Sequence, residues 1–200
     1  MNEIQIPESI QVQHRVQSYY DLALQYYILA RQGVICHSMP VAGNLAHHAI
    51  EMLLHAGLSK KHTFNELERK YHKHNLVPMW VEFKELFFGI KLEKYNKVIG
   101  RYNKWEEIRF PRARKSNIIM FFDIRKGKES KMNNQKDRRG EEYRINLEEL
   151  DEFFKSVTLL FINPEYVKTI LFGEQLNVYT KDNYHIVWQN WERVFTNLKE

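Results

Sequence analysis

The chain has 200 residues, 44% hydrophobic and 14% aromatic, which is enough to bury a continuous core in one domain and excludes a disordered tail. No apolar run approaches the roughly 18 residues that span a bilayer, and the polar, acidic start MNEIQIPESIQVQH is unlike a secretory signal. A lone cysteine, Cys36, excludes an internal disulfide and suits a reducing compartment, so a cytoplasmic protein with no membrane association is expected.

The net charge of +5 is unevenly spread: residues 101–139 hold thirteen Lys/Arg against five Asp/Glu. Such an excess marks either a surface that faces a polyanion or a solvated loop. In chain order, the spacing predicts a first helix over Pro7–Gln32, with Val16, Tyr19, Ala23, Tyr27 and Ala30 buried and Gly33 closing its end. The second, over Asn44–Leu58, is the most apolar. Its small residues Ala46, Ala49, Ala56 and Gly57 would let a neighbouring helix approach closely, and its other side carries His47, His48, Glu51 and His55.

Thr63, with Glu66 three residues on, predicts a capping box for a short helix over FNELERKY. A third main helix follows over LVPMWVEFKELFF, broken by Gly89, and a fourth is expected from Lys91 to Arg109 and stopped by Pro111. The period then changes. NIIMFFDI and EEYRI read as strands of a β-hairpin over 116–145 with a long, mobile basic tip. Asn146 caps a predicted helix to Ile162. Asn163-Pro164 starts another, which Gly173 ends, and Asn183–Leu198 reads as a last helix carrying Trp188 and Trp191. No repeat or second domain is visible, so one domain over 1–200 is expected, with residues 164–200 as a helical extension.

Three motifs in order suggest a family. The helix HHAIEMLLHAGL, with Glu51 inside an Ala-spaced stretch, is followed by His74-Asn75-Leu76 and then by Arg109-Phe110-Pro111 after a long helix. This pattern, over roughly Gln11–Pro111, resembles the HEPN domain family, named for nucleotide binding in higher eukaryotes and prokaryotes. The resemblance implies an antiparallel helical bundle with a buried Glu51, here with an inserted β-hairpin and additional C-terminal helices. It also implies a nucleotide- or RNA-binding role as a homodimer or with a protein partner. The family's ribonucleases carry Arg and, four to six residues on, His on a late helix. Here the only histidine after Pro111 is His185, with no arginine in the six residues before it, and Met52 stands where many members have Lys. A non-catalytic module is therefore the leading expectation.

Three groups of residues carry the chemistry. Arg109, Arg112, Arg114 and Lys115, with Arg125, Lys126, Arg138 and Arg139, are candidates for phosphate contact, since Arg pairs bidentately with phosphate oxygens. Arg69 with His74 has the spacing of an acid–base pair for metal-independent RNA cleavage, with His72 as an alternative partner, and so does Arg31 with His37, though neither pair lies where the family's motif does. His47, His48, Glu51 and His55 are pocket candidates. His47, Glu51 and His55 recur at the i, i+4, i+8 positions from which helices ligate zinc, but His47 and His55 lie more than two turns apart. Hydrogen bonding between helices is favoured there, with no metal or cofactor expected. A structural interaction protein that binds through aromatic faces such as Trp188 and Trp191 is the remaining alternative.

Overall fold

A computed structural model describes residues 7–108, 118–125 and 141–188, and these are mainly helical. Helix α1, Glu8–Ile35, and helix α2, Val41–Leu58, form an antiparallel pair. Their register is read from four contacts: a Cβ on Gly33 would lie 2.9 Å from that of Ala42, the Tyr26 ring meets His48, Tyr19 meets His55, and Arg15 donates to the Ser59 carbonyl. Gly33 therefore does not end α1. Its missing side chain is used for the close approach of α2, and the helix runs one turn further than composition suggests.

Thirteen of the eighteen residues of α2 are buried, and Val41, Asn44, Leu45, His48 and Met52 form one narrow, partly exposed stripe. A Cβ at Gly43 would lie 2.0 Å from the Trp105 ring, and one at Gly57 would lie 2.3 Å from Phe83. The small residues of α2 are thus seats for aromatic side chains. Helix α3, Phe64–Tyr71, begins at the predicted capping box, with the Thr63 N–H on Glu66 at 2.8 Å. Helix α4, Leu76–Leu86, is capped by Asn75, whose side chain accepts from the Val77 N–H.

The expected long fourth helix is segmented. A 3₁₀ turn at Glu93–Tyr95 leads into α5, Asn96–Asn103, and a second 3₁₀ stretch covers Lys104–Ile108. The tighter winding accompanies full burial of Trp105, which sits over Gly43 and edge-on to Tyr143 at 5.4 Å.

Strands β1, Ile118–Asp123, and β2, Glu141–Asn146, pair in parallel from Ile118↔Glu141 to Asp123↔Asn146. This corrects the hairpin expectation. Alternating apolar residues identify a strand but not the direction of its partner, and a parallel pair requires a long crossover where a hairpin needs a tight turn. Residues 124–140 are long enough for such a connection. The parallel arrangement brings Arg144 to Asp123 at 2.9 Å and lets the Ile124 carbonyl accept from the Glu148 N–H.

Helix α6, Leu147–Thr158, is capped by Asn146 as expected but ends a turn earlier than predicted. Helix α7, Pro164–Ile170, follows. Gly173 opens α8, Gly173–Thr180, at positive φ instead of closing the preceding helix. Residues 183–188 form turns in place of the start of a helix, and 189–198 lie outside the described residues. The C-terminal part is no appendage. Tyr166 donates to Asp21, Tyr27 stacks on Phe154 at 4.1 Å, and Arg31 binds Asp151 together with the Val178 and Lys181 carbonyls.

If α2 is packed as tightly as these seats indicate, Gly43→Ala should destabilise the protein by about 1–3 kcal/mol, since Trp105 must move. Gly100→Ala, where an added Cβ meets nothing within 4 Å, should be neutral or stabilising by up to about 1 kcal/mol. Urea denaturation of both variants checks the contrast.

Candidate functional site

Because α2 is largely enclosed, its four polar candidates are buried or half-buried, and the sequence reading of a separate polar side is corrected: Glu51 is 2% exposed and His47 1%. The turn between α3 and α4 supplies the partner. His74 there adopts φ +53°, an uncommon left-handed conformation for a residue other than glycine. Its Nδ1 lies 2.7 Å from Glu51 Oε1, while His48 Nδ1 lies 3.1 Å from Oε2. Burial works to raise the Glu51 pKa, but the bonds to His48 and His74 outweigh it and bring it down to about 2. One buried carboxylate is thus held between two imidazoles.

His47 points elsewhere with one nitrogen: Nδ1 lies 3.0 Å from the Tyr102 carbonyl. A carbonyl can only accept, so Nδ1 carries the proton and Nε2 presents its lone pair. That Nε2 is buried without a hydrogen-bond partner, 3.9 Å from a Glu106 carboxylate oxygen. One donor atom each from His47, His48 and Glu51 fall within 4.8 Å of one another. His55 stands apart from this group. Its ring is enclosed by Tyr19 and Tyr71, neither of its nitrogens has a hydrogen-bond partner, and burial lowers its pKa to about 4.

The other candidates are dispersed. Arg69 and His72 are exposed, and the His72 ring meets the Arg69 carbonyl. Among the described residues no hydrogen bond or ion pair links the Arg69 side chain to His74. Arg31 is buried on Asp151, and His37 packs edge-on against Phe122, so that pair is not assembled either. Arg125 is exposed and donates to the Tyr184 hydroxyl at 2.7 Å. Arg109, Arg112, Arg114, Lys115, Lys126, Arg138 and Arg139 lie outside the described residues. Tyr102 and Trp105 are fully buried, and Trp188 stacks on Tyr179 at 5.2 Å.

Two groups escaped the sequence reading. Glu82, on the buried face of α4, accepts from Lys61, His62, Lys70 and the Tyr71 hydroxyl. These bonds hold its carboxyl well below the usual range against the opposing effect of burial. Its place three residues after Met79 and beside Phe83 on an apolar face was the available signal. The second is a cleft of about 540 Å³ between α5 and β2, lined by Gly100, Arg101, Lys104, Glu142, Tyr143 and Arg144. Arg101 pairs with Glu149 and Arg144 with Asp123, while the exposed Lys104 faces the opening. The cleft depends on the pairing of β2, which no local pattern announces.

Comparison with protein-family models, with curated proteins and with solved structures gives no match. Among the described residues no helix is long and apolar enough to cross a membrane.

His55 yields a pH signature. Its pKa is about 4 in the folded chain and near 6.5 when unfolded, so between those values the unfolded state binds the extra proton. Its contribution of about 3 kcal/mol is present above pH 6.5 and is lost as the pH falls to 4. His55→Gln should flatten this part of the stability–pH curve, as read by urea unfolding at several pH values. Superimposable slopes in the two proteins would contradict the assignment.

Proposed function

We propose that the chain is a non-catalytic, polyanion-binding helical module of the HEPN type whose ligand is RNA or a nucleotide, and that it works as a homodimer or with a protein partner. The observation that carries this reading is the cleft at Arg101, Lys104 and Arg144, which lies where the chain enters and leaves its most basic stretch. Carboxylate partners fix the two guanidinium groups, and each arginine has more donors than its partner accepts, so further N–H groups remain for phosphate oxygens. Lys104 adds an exposed positive charge without a carboxylate partner among the described residues. The buried Glu51 beneath His74 agrees with the motif order on which the HEPN resemblance rests. Association is supported by Val77 and Val81, exposed one turn apart on α4, and by Phe88 just beyond it.

The ribonuclease alternative is not favoured. Catalysis by an Arg/His pair needs both side chains at one phosphate, whereas His74 is committed to Glu51 and Arg69 extends into solvent.

Fluorescence anisotropy with labelled single-stranded RNA at low salt is the test. Binding should weaken at least tenfold in Lys104→Glu and in the quadruple Ala variant of Arg125, Lys126, Arg138 and Arg139. Each lost phosphate contact should reduce the logarithmic salt slope by about 0.7. Absence of binding, or affinity unchanged in both variants, would overturn the reading.

A further inference from the structure

We propose that His47, His48, Glu51 and His74 form a binding site for a divalent transition-metal cation, with Zn²⁺ the ion that this donor set fits best. Three imidazoles and one carboxylate are a borderline nitrogen–oxygen set, the type that zinc takes in four-coordinate sites. The proposal stands independently of the polyanion reading.

The decisive group is His47. Its Nδ1–H is bound to the Tyr102 carbonyl, which fixes the tautomer and leaves a lone pair on Nε2. That nitrogen is buried and without a hydrogen-bond partner. A ligating histidine characteristically donates its other ring N–H to a backbone carbonyl, and a cation would occupy the unmet lone pair. Hydrogen bonding alone accounts for His48, Glu51 and His74 but leaves Nε2 of His47 unsatisfied.

The geometry is near that required. The His48 and His74 nitrogens already lie 3.1 and 2.7 Å from the two Glu51 oxygens, and the donor atoms of His47, His48 and Glu51 fall within 4.8 Å. Metal bonds of about 2.0–2.1 Å at tetrahedral angles place donor atoms roughly 3.3 Å apart. Closing the site takes a contraction of up to about 1.5 Å among His47, His48 and Glu51, with His74 joining through its position on the same carboxylate. Glu106, 3.9 Å from that Nε2, is placed to take an outer position. His74, with 43% of its side chain exposed, offers the entry path. A cation bound at Nδ1 of His48 and His74 would leave the proton of each neutral ring on Nε2. His55, enclosed by Tyr19 and Tyr71, is not a ligand.

The test is calorimetric titration of the EDTA-stripped full chain with ZnCl₂ near neutral pH, with visible absorption after Co²⁺ addition as a second readout. One equivalent should bind. Co²⁺ should give the intense d–d bands of a tetrahedral site. His48→Ala, His74→Ala and Glu51→Gln should each weaken binding at least tenfold, while the exposed His72→Ala should not. Circular dichroism of His74→Ala, a half-exposed position, shows whether loss of binding occurs in a folded protein. Lack of stoichiometric uptake, uptake retained in the three site variants, or equal loss in His72→Ala would overturn the proposal.

Discussion

A buried carboxylate in the middle of a helix must find its partners inside the protein, and Glu51 in α2 sets the arrangement around it. Removing such a group from water is expensive unless it is paired and hydrogen-bonded. The α3–α4 turn meets that demand by presenting His74 from a left-handed backbone position, while His48 reaches back from one turn earlier in the same helix. The turn geometry is thus explained by the charge it serves. The packing of α1 follows too, because Tyr26 and Tyr19 cover the faces of His48 and His55.

A second buried charge secures the chain at long range. Asp151 of α6 is held by Arg31 and by the Tyr27 hydroxyl at 2.5 Å, both on α1, and burial raises its pKa. Asn183 donates to that same hydroxyl, and the Lys181 and Val178 carbonyls take two further guanidinium donors. Replacing such a pair by well-packed apolar residues is often neutral, whereas removing one member leaves an unpaired charge in the core. What the network contributes is specificity: it admits one position for residues 178–183 against α1. Residues 178–183 are in this way packed against α1.

The legibility of the chain follows the range of the interactions involved. Local devices were readable: the Thr63–Glu66 capping box and the Asn146 and Asn163 helix starts all act within a few residues. Glycines misled wherever packing and not chain reversal was their purpose, as at Gly33, or where positive φ starts a helix, as at Gly173. The strands were found but not their direction, which depends on a partner more than twenty residues away. At the site, Glu51 and the three histidines of α2 were singled out, and His74 was noted as part of the His74-Asn75-Leu76 motif and for an acid–base pairing with Arg69. Their convergence could not be read, because periodicity assigns a residue to a face and does not say what another helix will bring to it.

The short stretch from Arg101 to Glu106 belongs to both candidate sites. Arg101 and Lys104 line the cleft, the Tyr102 carbonyl orients His47, Trp105 fills the seat at Gly43, and Glu106 approaches Nε2 of His47. Residues on successive turns of one segment therefore face a solvated cleft of mixed charge and a buried, carboxylate-centred cluster. The two demands differ in kind. Cations at the cleft need water and open approach, since their effect on a polyanion is long-ranged and screened by salt. The cluster around Glu51 needs the reverse, because short-range bonds in a dry setting keep that carboxylate charged. Segmenting the helix into α5 and a tighter 3₁₀ stretch is what lets one run of six residues meet both. A continuous α-helix would hold the 100° step between neighbouring side chains and could not independently set Trp105 over Gly43 and Lys104 at the cleft.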